Sequence, residues 1–156
     1  MLRPTTLFTL LALGLCACGA ATQAGAGASQ PIGSSKVELR LIEPNEAAGL
    51  KVPTWDGKLF MFVGRLVYLT NADFKEVRLG RLPDGAPAIN VQLDQTAALT
   101  LEDLTLKNRG RRLAVLVDGK IVTAPTIKEP IEGGKMSIVA ASPADTQNIY
   151  TRITGK

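Results

Sequence analysis

"RRLAVLVDGKIVTAPTIKEPIEGG", residues 111–134, decides the fold. Two apolar runs flank Asp118-Gly119, prolines follow at 125 and 130, and Gly133-Gly134 closes the segment. Asp-Gly between apolar runs is a strong short-range hairpin signal, because a type I′ turn needs positive φ at both central residues. The stretch therefore predicts two antiparallel strands and a second glycine turn, with Asp118, Gly119, Gly133 and Gly134 in structural roles. It carries no catalytic pattern.

Working outward, period-2 alternation marks further strands. "KVELRLIEP" (36–44) places Val37, Leu39 and Leu41 on one face, "KEVRLGRL" (75–82) turns Val77 and Leu79 inward, and "AINVQLD" (88–94) aligns Ile89, Val91 and Leu93. "LFMFVGRLVYLT" (59–70) carries three of the seven aromatic residues and is interrupted by Gly64, a candidate bulge or bend. "NADF" (71–74) reads as a turn or a single helical turn, and "NEAAGLKVPTWDGK" (45–58) as a connector with one short helical turn, its Trp55 either a core plug or a surface anchor. "KMSIVA" (135–140) predicts a last strand.

The period changes at "QTAALTLEDLTLKNRG" (95–110), where Ala97, Leu101 and Leu104 share a helical face and Gly110 stands at the expected terminus. Leu99 and Leu106 fall on the opposite face. Either the 45–55 connector covers them or they form part of an apolar patch, and such patches mark interaction sites. They are the candidate binding residues. Ser142-Pro143-Ala144-Asp145 is a helix start, with a capping serine, proline at N1 and a carboxylate at N3, followed by a buried stripe of Ile149 and Ile153. The expectation is an α+β domain over 36–156, a largely antiparallel sheet with two helices on one face.

The chain has 156 residues and two cysteines, Cys16 and Cys18. Its first twenty, "MLRPTTLFTLLALGLCACGA", combine Arg3, an apolar core from Leu7 to Leu15 and small residues beyond. That is the plan of a secretory signal, and the core is shorter than the ~20 residues needed to span a bilayer. Leu15-Cys16-Ala17-Cys18 resembles the lipobox of bacterial lipoproteins. The resemblance implies cleavage after residue 17, diacylglycerol on the Cys18 sulfur and a fatty acyl chain, such as palmitate, on its amine. Cys16 is the alternative site, although Leu15 is larger than the residue usual before the lipid cysteine. A plain secreted protein or an uncleaved anchor are the other readings of this leader.

Residues 19–35, "GAATQAGAGASQPIGSS", carry no charge and too little apolar surface to fold. With Cys18 they form an expected tether, residues 18–35, of ~20–25 Å reach by random-coil scaling. Gly19 lacks the aspartate that retains some lipoproteins at the inner membrane, so the resemblance favours an outer-membrane anchor facing the periplasm.

The leader takes one of the 18 basic residues and none of the 14 acidic ones, leaving +3 on the remainder. There is no dense basic run with interleaved aromatics, so nucleic acid is not an expected partner. The chain has no histidine, and after processing its one cysteine would be acylated. That removes thiol nucleophiles, histidine bases and the common zinc and copper ligands together. Glu102-Asp103 and Glu129/Glu132 are better read as solvated charges than as a catalytic pair, and Gly133-Gly134 lacks a phosphate-loop lysine and serine. No catalytic residue, metal site or cofactor is expected.

The segment from Leu104 onward resembles part of SecD, the bacterial protein-export subunit. The matching residues are Leu104-Thr105, Asn108, Gly110, Arg111, Leu113-Ala114, Asp118-Gly119, Ala124-Pro125, Pro130-Ile131 and Gly133-Gly134. Upstream, "VELRLIEP", "LVYLTNADFKEVRL" and "APAINVQLD" continue the likeness, which covers about residues 37–156. The resemblance implies the fold of the SecD periplasmic head and contact with emerging, unfolded polypeptide. Two departures matter. SecD has six transmembrane helices for proton-coupled work, and no later segment here is long and apolar enough for one. The aromatic-threonine step before the family's last helix is replaced by "AASPAD" (140–145). The expectation is a non-enzymatic, lipid-anchored binding module for extended polypeptide, with a lipoprotein that docks one dedicated envelope partner as the alternative.

Overall fold

The computed structural model describes Gly33 and residues 35–156. The leader, Cys18 and most of the expected tether lie outside the described residues.

Strand β1 (Val37–Glu43) is central. One flank pairs antiparallel along Val37–Leu41 with β7 (Leu113–Val117). The other flank meets β4 (Leu69–Thr70) at Glu38 and Leu39, then β3 (Phe60–Gly64) at Ile42 and Glu43. Outside β3 lies β2 (Gly49–Pro53), and outside β7 lies β8 (Lys120–Thr123), completing a six-stranded sheet. A second, three-stranded sheet runs β5 (Phe74–Arg81), β6 (Pro87–Leu93) and β9 (Lys135–Ile138). Every pairing between these strands is antiparallel. Helices α1 (Gln95–Lys107) and α2 (Pro143–Thr154) complete the fold, which is the expected α+β class with its strands divided between two sheets.

The main core explains the division. Val37, Leu39, Leu41, Leu113, Val115 and Val117 from the larger sheet meet Ile89, Val91, Leu93 and Ile138 from the smaller one. Leu101, Leu104, Ile149 and Ile153 come from the two helices. Burying each such aliphatic side chain contributes about 1.5–3 kcal/mol, so the apolar stripes of both helices are satisfied from one side. Both helix starts are capped as their sequences dictate. Asp94 accepts from the Ala97 N–H at 2.8 Å. Ser142 accepts from the Asp145 N–H at 3.1 Å, with Pro143 in the first turn. At its other end α1 stops at Lys107, where the Asn108 side chain donates to the Leu104 carbonyl at 2.8 Å. Gly110, φ 81°, belongs to the turn into β7 rather than to the cap.

The larger sheet is apolar on its reverse face too. Val63, Ala114, Leu116, Ile121 and Ala124 form a second core, with Ile42, Val52 and Met61 packed on it. The sheet curls around this core until the chain leaving β2 reaches β8. Thr54 forms a parallel bridge with Ile121, and the Trp55 N–H donates to the Ile121 carbonyl at 2.8 Å.

Two expectations are corrected. The 45–58 segment, read as a connector with a helical turn, contains β2, because Val52 opposite Met61 can be buried only if this stretch pairs with β3. The interruption expected at Gly64 is present: Gly64 ends β3, the chain bends at Arg65, and β4 resumes pairing with β1 in a shifted register. Opposite Gly64 stands Gly49, where a side chain would sit 2.7 Å from the Val63 carbonyl oxygen. Leu79, expected inward, is 43% exposed at the far end of β5, where the core does not reach beneath the strand.

Candidate functional site

The Asp118-Gly119 turn joins β7 to β8 with φ 49° and 76°, both in the left-handed region that a type I′ turn uses. Asp118 does more than turn the chain. Its carboxylate accepts from the Ser35 hydroxyl at 3.0 Å and the Lys36 N–H at 2.9 Å, and its own N–H donates to the Lys36 carbonyl at 2.9 Å. Arg152 of α2 lies 3.4 Å from the same carboxylate. The turn therefore grips the chain where it enters the domain.

Gly133 and Gly134 also have positive φ, 66° and 64°, in a 3-10 turn before β9. At Gly134 a Cβ would stand 2.6 Å from the Ala98 Cβ, so glycine here admits α1 at close range. Thr105 of α1 holds the same segment by accepting the Ile131 N–H at 2.9 Å.

Leu99 and Leu106 are 64% and 54% exposed on the outer face of α1, and the 45–55 segment does not cover them. They are seven residues apart, and the turn between them carries Asp103, paired with Lys107 at 2.8 Å. Two leucines with an ion pair between them make a broken apolar surface rather than a continuous patch.

Two surfaces escaped the sequence reading. One is the outer edge of β5, which has no strand beyond it among the described residues and carries Lys75, Glu76, Arg78 and Arg81. Beside it, Glu76, Arg78, Asn90, Gln92, Lys135 and Ser137 help to line an open cavity of about 390 Å³ on the smaller sheet. The other is the β2–β3 hairpin, where Leu59 and Phe60 are 66% and 57% exposed. Its signal was present in "LFMFV": a strand apolar at every position must be covered on both faces or show one of them.

The titratable group with the clearest structural shift is Glu38, on the reverse face of β1. Burial pushes its carboxyl up, but Lys36 and Arg40 outweigh this and hold it below the ordinary carboxylate range. The Arg40 Nε donates to one oxygen at 2.9 Å. Lys36 Nζ stands 2.5 Å from the other oxygen, which is buried. Arg40 also donates to the Gly64 and Arg65 carbonyls, 3.0 Å each. All of Glu38's charge is committed to holding β1 and the end of β3. Among the described residues no group of three or more histidine, cysteine or acidic side chains converges as metal ligands would. Glu102 and Asp103 stay on the α1 surface. Trp55 is half-buried against the main core, its Nε1 donating to Asp145 at 3.1 Å, with Lys120 and Arg152 near its ring.

Against known proteins, residues 47–154 match the family described as SecDF, P1 head subdomain. The SecD translocase subunit of Acidaminococcus fermentans is 38% identical over 76 residues, 49% of this chain and 18% of the relative. That of Sebaldella termitidis is 30% identical over 127 residues, 73% of this chain and 31% of the relative. The chain thus spans less than a third of either. A solved structure described as a membrane component SecDF that enhances protein export superposes with a TM-score of 0.61. It is 24% identical and aligns over 77% of this chain and 62% of its own. SecDF in a super-membrane-facing form gives 0.62 at 22% identity, over 77% of this chain and 18% of its own. At these identities the likeness is one of fold. No helix among the described residues is long and apolar enough to cross a membrane.

Proposed function

The chain belongs to the SecDF P1 head subdomain family, and from that premise we propose that it is a non-enzymatic, lipid-anchored module of the bacterial envelope that binds extended polypeptide. What carries the reading is the family match, which takes in nearly all the described residues, together with the unpaired outer edge of β5. An open edge offers main-chain donors and acceptors that an unfolded client can pair with whatever its sequence. The charged side chains along β5 disfavour pairing between copies of the chain, the usual hazard of such an edge. The leader and the Leu15-Cys16-Ala17-Cys18 pattern support the anchor on Cys18, with the domain facing the periplasm from the outer membrane.

Amide exchange with and without a large excess of reduced, unfolded polypeptide tests the client role. Amides of β5 that make no bond to β6 should slow with several unrelated unfolded chains, each bound weakly. Tight, saturable binding of a single folded envelope protein, with β5 unaffected by unfolded chains, would replace this reading with a dedicated docking role. The mass of the mature protein decides the anchor separately, since lipidation at Cys18 adds the diacylglycerol and acyl chains and Cys18→Ser abolishes them.

A further inference from the structure

The β2–β3 hairpin has a place in the fold that client binding leaves unexplained. By ladder alternation, Val52, Met61 and Val63 face the second core, and Lys51, Pro53, Phe60 and Phe62 share the outer face. At the tip, Leu59 and Phe60 stand open to solvent, and Lys51 Nζ lies 5.0 Å from the centre of the Phe60 ring. Exposed aromatic and leucine side chains among lysines form the composition that settles at a lipid interface.

Spare charge at this end is positive. Lys51, Lys58 and Lys120 have no carboxylate in ion-pair range among the described residues. Of the acidic groups nearby, Asp118 is paired with Arg152. Asp56 accepts from the Thr54 hydroxyl and the Lys58 N–H, and Asp145 from Trp55; these neutral donors leave both carboxylates charged, so the three lysines exceed them by one. Glu38 is held by Lys36 and Arg40.

The third observation is where the chain comes in. Ser35 and Lys36 are fastened to Asp118, the turn of the β7–β8 hairpin. Two residues beyond that turn, Ile121 holds Thr54 and Trp55, and Thr54 in turn accepts the Leu59 N–H on its hydroxyl at 3.1 Å. The apolar tip and the point of arrival of the preceding segment are thus bound to one end of one hairpin. A tether arriving from the N-terminal side would bring that end within reach of the surface holding it.

We propose that the β2–β3 tip, through Leu59 and Phe60 with Lys51, Lys58 and Lys120 around them, docks on an anionic lipid surface. It would seat the domain there in a fixed orientation. The inference rests on the lipid-anchor reading. Phe60 and Leu59 enter the headgroup–acyl boundary and the lysines meet phosphate groups, which leaves the β5 edge free.

The test uses the full-length chain reconstituted into vesicles of phosphatidylethanolamine with phosphatidylglycerol, or of phosphatidylcholine alone, read by flotation and amide exchange. On the anionic vesicles, amides of residues 56–60 should slow several-fold, with those of α1 unchanged. Leu59→Ser with Phe60→Ser should abolish the slowing while the chain still floats and its melting temperature holds. A chain that floats with no slowing at 56–60 overturns the docking and spares the anchor, whereas a chain that does not float overturns both. Equal slowing on phosphatidylcholine overturns the role of the lysines. Slowing by unfolded polypeptide without lipid overturns the proposal by making the tip a client site.

Discussion

Strands β7 and β5 show how one domain builds two kinds of surface from similar material. All five residues of β7, Leu113 to Val117, are buried, because β1 and β8 flank it and a core lies on each face. Of the eight residues of β5 only Phe74 is buried, and Val77 and Gly80 are partly covered. Their sequences announce the difference: an unbroken apolar run against charges at 75, 76, 78 and 81. A strand covered on both faces and both edges contributes stability, whereas a strand paired on one edge remains available to a partner.

The sharpest way to break this comparison is to truncate one leucine in each half. Leu116→Ala, in the second core, should cost about 2–5 kcal/mol, and Leu79→Ala, 43% exposed on β5, under about 1 kcal/mol. Denaturant unfolding of the two variants side by side gives the answer. Equal losses would mean that β5 is as firmly built in as β7.

Next in size is the turn between β7 and β8. Gly119 has φ 76° and nothing within 4 Å of an added Cβ, so Gly119→Val suffers backbone strain and no collision. A loss of about 1–3 kcal/mol is expected from a residue held in that region. Unchanged thermal stability would show that the hairpin is looser than its dihedral angles indicate.

A smaller effect comes from Glu38, beside β7 on the reverse face of β1. Its carboxyl titrates lower in the folded state than in the unfolded one. Its contribution is therefore present above the unfolded carboxylate range and is lost as pH falls through the folded value. Glu38→Gln should leave the protein less stable at neutral pH and flatten the decline of stability on acidification. A parallel decline in both proteins would place the acid sensitivity elsewhere.

The smallest stability change belongs to the outer face of α1. Leu99→Ser with Leu106→Ser should leave the melting temperature nearly unchanged, since both side chains are more than half exposed. If α1 takes part in client binding, affinity for unfolded polypeptide falls in this variant. If β5 alone does so, affinity holds.

Much of this protein was settled by its sequence alone, because the physics involved is local. The Asp118-Gly119 turn follows from residues that tolerate positive φ, and the helix starts at Asp94 and Ser142 follow from side chains that cap their own backbone. The stripes Ala97-Leu101-Leu104 and Ile149-Ile153 follow from helical period, and all five are buried as that period requires. The likeness to the SecD head was legible for the same reason, since its matching residues cluster at turns and strands with special backbone needs.

Tertiary structure decided what depends on partners distant in the chain. The strand at 49–53 exists because β3 and the second core lie beside it, and nothing within its five residues announces that. Leu79 and Val77 share one alternation, yet Leu79 lies open where β5 outruns the elements packed beneath it. Asp118 reads as a turn residue, and only folding sets it against Ser35, more than eighty residues away. Phe60 shows as apolar in any reading, but its exposure follows from a sheet that curls around one core and leaves the hairpin's other face outside. Period and dihedral preference act within a few residues, whereas burial on a particular face is fixed by which surfaces meet.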